Sequence, residues 1–339
     1  MISIEVLPQP SAELIGLIES VRFGDQGLSY RRADVGRLLR NADRPVCFCA
    51  RDEDSGAIRG SYVLTLSNAL LDGRSVRSCY RGLLAVDETV RGTGVGRRLV
   101  DRAFDWLAEE SRRDDSALLS WGLIEERNLA SRRLLEARGA EELRFLQTQL
   151  VYRQWPRDSA AVIELDESQR HAYDAQRLSA AKGLALTAGS ALPVFGLMSG
   201  DELVAAARVG VQELDLGEGG RTARFLHRHA YSRFAVLGKR YNRRAFRYLS
   251  IHDPLVRAER ASAWREFLSA LLARHELHMA MFTLDTESKA AETLDEAGVT
   301  GRFAKATRSR LALSANVFNG PDDWRDRIRD TPVLGGPVL

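Results

Sequence analysis

The sequence is poor in cysteine and in long apolar runs. Its 339 residues include three cysteines, Cys47, Cys49 and Cys79, all in strand-like stretches, and this low count argues against a disulfide scaffold. Cys47 and Cys49 would share one strand face without a nearby histidine, so we interpret all three as buried small apolar residues. No apolar run approaches the roughly 18 residues that a membrane helix needs. We therefore predict no metal site and no membrane partner.

The sequence also lacks a secretion signal and is poor in lysine. Residues 1–13 have neither the basic start nor the apolar centre of a signal peptide, so we expect a cytoplasmic protein. Only four of the 49 basic residues are lysines, a bias that is typical of a GC-rich bacterial genome. At 339 residues the chain exceeds the usual size of one domain, and two domains are expected.

Three glycines within a short stretch are the most informative feature that is present. Residues 91–96 are Arg-Gly-Thr-Gly-Val-Gly, and they follow the apolar stretch 83–90 and precede the helix-like stretch 97–110. Glycines let a backbone bend tightly and approach a ligand. The start of a helix offers unpaired N–H groups and a positive dipole end to an anion. The pattern predicts a cradle for a pyrophosphate.

Spacing separates this loop from two common phosphate loops. A nucleotide P-loop ends in Gly-Lys-Ser/Thr, but Gly96 is followed by two arginines. A dinucleotide loop has the spacing G-x-G-x-x-G after a first strand, whereas this loop has the spacing G-x-G-x-G and lies well inside the chain. The remaining pattern, R-x-x-G-x-G between a strand and a helix, resembles the coenzyme A signature of the GNAT N-acyltransferase superfamily.

The resemblance implies an acyl-CoA site in the first half of the chain. It implies that strand residues Leu84, Ala85 and Val86 lie along the acyl thioester of acetyl-CoA or another acyl-CoA. The loop residues with an implied role in binding the pyrophosphate are Arg91, Gly92, Thr93, Gly94, Val95, Gly96 and Arg97.

A second segment, from Asn128 to Gly139, strengthens the resemblance. It is similar to the family pattern N-x-x-A followed by a helix and Y-x-x-x-G-F, which implies that Asn128 and Ser131 help to hold the cofactor arm. Leu135 occupies the place of the usual tyrosine, whose hydroxyl is credited with protonating the departing thiolate. A leucine cannot donate a proton, so the resemblance supports cofactor binding better than it supports that acid step.

The family reaction is direct attack of an amine on the thioester, so the resemblance implies an N-acyltransferase, most simply an N-acetyltransferase, that acts on a small-molecule amine. An alkylammonium has a pKa of about 10, so a base must remove its proton. Our candidates for the base are Glu125 and Glu126, just past the strand that ends beside the expected cleft, and Asp87 at the end of the thioester strand. Of these we favour Glu125, and our candidate for the acid is Tyr80, on the thioester strand. Each has a structural alternative, because Glu125 could charge the start of the next helix and Tyr80 could pack in the core.

Periodicity and turn signals predict an α/β layer fold with a central mixed sheet for residues 1–155, in the element order of the GNAT fold. The predicted strands are 2–7, 46–51, 58–70, 76–87, 117–124 and 144–153. The predicted helices are 12–21, 33–40, 97–110 and 128–138.

The second half repeats the first, so we predict two tandem GNAT-like domains, 1–155 and 156–339, each with a mixed central sheet flanked by helices. The repeat rests on three pairs of segments: Asp87 to Arg91 with Asp253 to Arg257, Pro45-Val46 with Pro193-Val194, and Ser131 to Gly139 with Ala290 to Gly298.

The second copy is expected to have lost its cradle. At the offset that relates Asp87 to Asp253, the second copy carries Ala258, Arg260 and Ser262 in place of the three glycines. Their side chains would crowd a pyrophosphate, so we expect one cofactor site per chain. Asp87 recurs as Asp253 in this copy, which favours a structural turn role for both. His252 corresponds to Val86 and is interpreted as a structural histidine.

A basic insertion at 217–247 is particular to the second copy. It contains nine Arg or Lys residues against one acid, Glu218, and aromatic residues are interleaved with the arginines. It could dock an acidic carrier protein or an anionic substrate, or form an amphipathic helix with a solvated basic face. Single-stranded nucleic acid is the least favoured partner. Two functional alternatives stay open: an acyl-carrier-protein donor docked here, and a non-catalytic acyl-CoA sensor or scaffold.

Overall fold

The computed structural model describes residues 1–24, 30–113, 115–153, 155–180, 184–186, 192–216, 246–285, 287–300, 309–321 and 323–334. Within these ranges no helix has both the length and the apolar character to cross a membrane. Residues 217–245, nearly all of the basic insertion, lie outside the described residues, so its predicted roles stay predictions.

Both halves are built of strands and helices. The strands of the first half are β1 (Ile2–Leu7), β2 (Arg31–Arg32), β3 (Arg44–Asp52), β4 (Ile58–Leu71), β5 (Arg74–Val86), β6 (Leu118–Glu125) and β7 (Glu141–Tyr152). Its helices are α1 (Ala12–Ser20), α2 (Val35–Arg40), α3 (Val95–Arg113) and α4 (Leu129–Glu136). A short 3-10 turn, Glu88–Val90, follows β5.

The strands of the second half are β8 (Val162–Glu164), β9 (Leu184–Leu186), β10 (Val194–Ser199), β11 (Glu202–Asp215), β12 (Phe246–Leu255), β13 (Met279–Asp285), β14 (Ser309–Phe318) and β15 (Val333–Leu334). Its helices are α5 (Glu167–Ala180), α6 (Ala263–Arg274), α7 (Lys289–Glu296) and α8 (Trp324–Asp330). A 3-10 turn, Ala258–Arg260, follows β12. From β10 to β14 the second half repeats the order of β3 to β7.

Every strand and helix predicted for residues 1–155 is present, with ends that differ by a few residues. Local signals account for this agreement. Ser11 caps α1, because its hydroxyl accepts a hydrogen bond from the Leu14 N–H at 3.1 Å. Along α3 the apolar residues recur at helical spacing, and Leu99, Ala103 and Leu107 are fully buried.

The strands of both halves join in one mixed sheet, where the sequence predicts a sheet in each half. Its main path runs β1-β3-β4-β5-β6-β14-β7-β13-β12-β11-β10-β8. The last long strand of each half is inserted next to the other half. Strand β14 of the second half lies between β6 and β7, and β7 of the first half lies between β14 and β13. The two halves therefore exchange strands at the centre of the sheet, and the predicted boundary at residue 155 remains a prediction.

Helices cover the sheet in two layers. On one face α3 packs over β3 and β4 through a core that includes Leu64, Leu99 and Phe104. On the opposite face of the first half, α1 and α2 pack over β4 and β5 through Leu14, Ile18 and other apolar side chains. In the second half α6 forms the equivalent of the α3 core.

The parallel strands β5 and β6 separate halfway along their length, and we call them the parted strands. They pair from Arg77 with Leu118 to Tyr80 with Trp121, but β5 continues to Val86 and β6 to Glu125 with no ladder between them. In the second half β12 and β13 pair only from Leu249 to Ile251 and part in the same way.

A bulge follows the parting in each half. The ladder between β4 and β5 shifts register opposite Leu83, which has a φ of 53°. The ladder between β11 and β12 shifts register opposite Asp253, which has a φ of 51°. Non-glycine residues seldom adopt this left-handed conformation, so the matching bulges identify Leu83 and Asp253 as equivalent positions.

The structure corrects one of the three repeat pairs. Since Asp253 is equivalent to Leu83, the pairing of Asp87 with Asp253 is wrong by four residues, and His252 matches Gly82 instead of Val86. Ala258 and Arg260 belong to the 3-10 turn and do not replace glycines.

The other repeat pairs are confirmed. Pro45 and Pro193 each stand at the start of equivalent strands, β3 and β10. Gly139 (φ 75°) and Gly298 (φ 63°) each end the helix that precedes an exchanged strand. A left-handed residue at that place is a common helix terminator, which glycine adopts at little cost.

A buried ion pair links the exchanged strand β7 to its neighbour β13. Arg144 on β7 donates to both carboxylate oxygens of Asp285 on β13, at 3.0 and 3.1 Å, and Asp285 also accepts from the Val333 N–H at 2.8 Å. The side chains of Arg144 and Asp285 are 7% and 1% exposed. Arg144 also pairs at 2.9 Å with Glu287, which is 75% exposed.

We predict that Asp285→Ala lowers the free energy of unfolding by about 3 to 5 kcal/mol, because it leaves a buried guanidinium without its counter-charge. Glu287→Ala removes the exposed partner of the same arginine and should cost less than about 1 kcal/mol. Urea unfolding of the two variants checks this. Equal, small losses of unfolding free energy in the two variants would show that the Arg144–Asp285 pair does not stabilise the contact between β7 and β13.

Candidate functional site

The glycine loop lies between the 3-10 turn and the start of α3. Gly92 has a φ of 81° and Gly94 a φ of 88°, and residues 91–94 are exposed. A Cβ added at either glycine would meet no heavy atom within 4 Å. Glycine is therefore needed for backbone conformation, and the space above the loop is open to a ligand. Gly96 lies inside α3, where a Cβ would make an ordinary 3.6 Å contact with Val86.

The loop presents unpaired N–H groups at the end of the parted strands. The Arg98 N–H donates to the Gly94 carbonyl at 3.1 Å and makes the first hydrogen bond of α3. The N–H groups of Val95, Gly96 and Arg97 precede it and have no acceptor inside the helix. These donors and the positive helix end suit an anion, and the Arg97 side chain beside them is exposed.

The other polar groups of the loop hold its shape. The Arg91 guanidinium donates from Nε to the Val86 carbonyl at 3.1 Å, and the Thr93 hydroxyl donates to the Val90 carbonyl at 2.7 Å. Asp87 caps the 3-10 turn by accepting from the Thr89 N–H at 2.9 Å, and these contacts with Thr89 lower its carboxyl pKa. A structural turn role for Asp87 is thereby confirmed.

The predicted thioester strand lines one side of the gap between β5 and β6. Leu84 and Val86 point towards the α3 core, whereas Ala85 is buried in the α1/α2 core. On the other side of the gap, Asn128 caps α4 by accepting from the Ser131 N–H at 3.1 Å. The structure thus brings the loop, the strand and the start of α4 around one cleft.

Tyr80 and Glu125 lie on the sheet face opposite α3. Tyr80 is half-buried, its ring lies 4.9 Å from that of Trp121, and its hydroxyl is 3.0 Å from where a Cβ of Gly82 would be. Burial raises the pKa of Tyr80 well above its ordinary value. Glu125 is the last residue of β6, and strand alternation places it on the Trp121 face. Both candidates therefore border the parted strands.

A cluster of tyrosines on this face joins the two halves. Burial raises the pKa of Tyr30, Tyr80 and Tyr248, and the charge of Arg32 opposes the rise at all three. The negative charge of Glu125 adds to the rise in the pKa of Tyr30. Tyr248 belongs to β12, so the second half contributes to the face that carries both catalytic candidates.

Arg32 is fixed by the second half. It pairs in register with Leu214 of β11, and its guanidinium donates to Gln212 at 2.7 Å and to Asp34 at 3.4 Å. Its side chain is 7% exposed. The segment from Tyr30 to Asp34 is therefore a bridge from α1 of the first half to β11 of the second.

The three cysteines are free and buried, as predicted. Burial raises the pKa of Cys47 and Cys79 to about 12 and that of Cys49 to about 11, so none is a thiolate at neutral pH. The described residues contain no group of three or more His, Cys, Asp or Glu side chains that could hold a metal ion.

The family model that matches this sequence is the Acetyltransferase (GNAT) family, and the match spans residues 16–140. Residues 16–140 form a GNAT domain. The predicted resemblance is confirmed, and the match covers the glycine loop, the parted strands and α4. A search of curated protein sequences gives no match to the chain.

Solved structures extend the likeness to the whole fold. The structure of Saccharomyces cerevisiae N-myristoyltransferase with bound myristoyl-CoA aligns with 99% of this chain and 90% of its own, at 9% identity and a TM-score of 0.60. A second structure of that enzyme, with myristoyl-CoA and inhibitors, aligns with 97% of this chain and 85% of its own, at 8% identity and a TM-score of 0.61. At these identities the likeness shows the fold alone.

The second half differs from the GNAT domain where a ligand would bind. Its 3-10 turn ends at Arg260 and α6 begins at Ala263, so only residues 261 and 262 lie where the GNAT domain has 91–94. Its bulge residue Asp253 is buried, 3.4 Å from Arg177 and 3.3 Å from Arg208. The described part of the second half therefore has no equivalent of the glycine loop, and its bulge is filled by its own ion pairs.

Sequence reasoning missed Tyr30, Arg32, Tyr248 and Arg81. Tyr30 and Arg32 lie in a short segment without periodicity, and Tyr248 reaches the GNAT domain only through the folding of the sheet. Arg81 carried a usable signal, since it is a charged residue in the middle of an otherwise apolar stretch of a predicted strand.

Leu135 is buried in the α3 core. The usual family tyrosine therefore has no counterpart at this position. Any hydroxyl that protonates a thiolate must come from elsewhere, and among the described residues Tyr80 borders the parted strands.

His252 is a structural histidine whose pKa should affect stability. It is 8% exposed, its Nε2 lies 2.5 Å from the Ser250 hydroxyl, and burial lowers its pKa from 6.5 to about 4. Between these values the unfolded chain binds a proton that the folded chain does not, so stability falls as the pH falls from 6.5 towards 4.

We predict that this histidine alone removes about 2 kcal/mol of stability between pH 7.5 and pH 5. His252→Gln should flatten the pH dependence of urea unfolding by that amount. His171→Gln, on the exposed surface of α5, serves as the control and should leave the dependence unchanged. If both variants give the same slope as the parent, His252 does not titrate in this way.

Proposed function

We propose that the GNAT domain transfers an acyl group from a coenzyme A thioester directly to an amine of a small molecule. One observation carries the proposal: parted strands, a bulge at Leu83 and an open glycine loop occur together around one cleft. The second half has the parted strands and the bulge but not the loop. This contrast favours donor binding at the first site, with one acyl-CoA per chain.

The residues present fit a pyrophosphate and its pantetheine arm. Gly92 and Gly94 leave open space, and the N–H groups at the start of α3 supply donors for the anion. Asn128 and Ser131 would lie beside the arm at the start of α4. The N-myristoyltransferase structures hold myristoyl-CoA in the same fold, which supports an acyl-CoA donor here.

The proposed reaction divides its proton transfers between two residues. Glu125 accepts a proton from the ammonium of the acceptor, and the free amine attacks the thioester carbonyl. The C–N bond forms, the C–S bond breaks, and Tyr80 donates its proton to the departing thiolate. The acylated nitrogen then gives up its extra proton, which restores the Tyr80 hydroxyl and leaves a neutral amide. Burial keeps Tyr80 protonated at neutral pH, which suits a donor. Main-chain N–H groups of residues 84–86 would polarise the carbonyl.

Two alternatives predict different assay results. A sensor or scaffold would bind acyl-CoA without releasing thiol in the presence of amines, and the apolar Leu135 favours that alternative. A carrier-protein donor would give faster transfer than free acyl-CoA. Thiol release measured with both donors and a panel of small amines separates the three functions.

We predict that Gly94→Ala weakens coenzyme A binding roughly tenfold, because an L-residue at a φ of 88° costs about 1 to 2 kcal/mol and would pull the loop out of its binding shape. Calorimetry measures the affinity. Gly56→Ala is a matched control, because Gly56 has a φ of 71° and equally open surroundings but lies in a turn away from the loop.

Unchanged affinity in Gly94→Ala would contradict the donor site. A stoichiometry of two per chain would contradict the assignment of one site to the first half. Loss of affinity in both glycine variants would point to general destabilisation.

We predict that Tyr80→Phe and Glu125→Gln each lower kcat by roughly 10² to 10⁴, the usual worth of a general acid or base, with little change in coenzyme A affinity. Steady-state thiol release measures kcat. Glu126→Gln is the control, since Glu126 pairs at 3.0 Å with Arg310 on the surface and should keep full turnover. If Tyr80→Phe and Glu125→Gln both turn over normally, these roles are wrong.

A further inference from the structure

Arg81 is a buried cation without a counter-charge. It is 3% exposed, and its guanidinium donates from Nη2 to the Ser314 carbonyl at 2.8 Å and lies 5.1 Å from the centre of the Phe104 ring. Its Nε and Nη1 atoms have no hydrogen-bond partner. A guanidinium stays charged in proteins, and burying it with unused donors is costly.

The other buried arginines are all paired with acids. Among the described residues the buried arginines are Arg32, Arg81, Arg144 and Arg177. Three of them lie within 3.4 Å of a buried aspartate, namely Asp34, Asp285 and Asp253. Arg81 has no carboxylate among the described residues within 4.0 Å. Arg81 is therefore the exception among the buried arginines of the described residues.

The repeat shows that the fold does not need an arginine here. Arg81 lies two residues before the bulge at Leu83, and the equivalent residue before Asp253 is Ile251. Ile251 is 2% exposed and packs in the apolar core beneath α6. The copy without a glycine loop thus has an ordinary apolar residue, and the copy with the loop has the unpaired cation.

Arg81 stands where the cleft ends. It follows Tyr80, the last residue of β5 that pairs with β6, and its side chain crosses Gly122, where a Cβ would be 2.9 Å from the Arg81 carbonyl oxygen. The loop follows the carboxyl end of β5, which lies roughly 15 Å from Arg81 at about 3.3 Å per residue. A donor held by its pyrophosphate would direct its acyl end towards Arg81.

A cavity lies beyond Ser314, although Arg81 itself does not line it. Ser314, which accepts from Arg81, also lines a cavity of about 480 Å³ between α4 and the sheet. Ile124 and Leu129 line the same cavity near the start of α4. Charged side chains of α4 and β7 also line it, among them Arg132 and Glu142. Ser314 is thus the residue that contacts the unpaired cation and also borders space that could take an acyl group longer than acetyl.

We propose that Arg81 binds a carboxylate at the far end of the donor's acyl group, so that the preferred donor is the coenzyme A thioester of a short dicarboxylic acid. The inference rests on the proposed function, since it assumes that the thioester lies between the loop and Arg81. A terminal carboxylate would accept from Nε and Nη1 and supply the missing counter-charge.

Matched pairs of donors test the proposal on the full chain. Succinyl-CoA and butyryl-CoA have acyl chains of equal carbon number and differ in the terminal carboxylate, as do malonyl-CoA and propionyl-CoA. We expect at least one dicarboxylic donor to bind roughly tenfold to hundredfold more tightly than its neutral partner. In Arg81→Met this preference should disappear, while the affinity for free coenzyme A stays within about twofold.

Control variants separate specificity from folding. Arg112→Met, at the exposed end of α3, should keep the preference. Thermal melting reports whether Arg81→Met folds. If it folds poorly, Arg81→Lys is the second variant, and because it retains the charge it should keep part of the preference for the dicarboxylic donor. Equal binding of both members of each pair by the parent, or a preference that survives in Arg81→Met, overturns the proposal. Failure of all thioesters and of free coenzyme A to bind would instead overturn the proposed function.

Discussion

The candidate site depends on the parting of β5 from β6. Beyond Tyr80 and Trp121 the two strands no longer pair with each other. Backbone groups left unpaired are costly when they are buried. Strand β14 of the second half offsets part of this cost, because it pairs with β6 along its full length, from Phe318 opposite Leu118 to Leu311 opposite Glu125. The second half therefore supports an open cleft in the GNAT domain without having a glycine loop of its own.

The two halves provide an internal comparison between what the fold requires and what the chemistry requires. Both keep the parted strands and a left-handed residue at the bulge, so these features belong to the fold. The loop glycines and Arg81 occur only in the GNAT domain among the described residues. In the second half the bulge residue Asp253 is held by two arginines, and that arrangement closes the position that the first half leaves open.

The sequence predicted the local elements well because their signals are local. The spacing of Leu99, Ala103 and Leu107 marks α3, and the glycine loop marks its start. Strand exchange was not predictable in this way, since nothing in β7 or β14 alone says which strand will be its neighbour. The pairing of Asp87 with Asp253 failed because a short pattern of identical residues recurred four positions out of structural register.

Residues that meet only in the folded chain were the hardest to foresee. Tyr30 and Tyr248 are far apart in sequence, yet the charge of Arg32 acts on both and on Tyr80. The left-handed Leu83 gave no sequence signal, because such positions are usually filled by glycine. Glu125 was predicted from its place just past a strand and Tyr80 from its place on the thioester strand. The structure brings both to one face, while their catalytic roles remain proposals.

The electrostatics of that face favour a division of roles. Burial raises the pKa of Tyr30, Tyr80 and Tyr248, so these hydroxyls stay protonated at neutral pH and can donate protons but not accept them from an ammonium. In the proposed reaction the base is therefore a carboxylate, and the charge of Glu125 acts on Tyr30 within this cluster. Tyr80 lies on β5 beside the bulge and Glu125 at the end of β6, so the proposed acid and base would stand on the two strands that border the cleft.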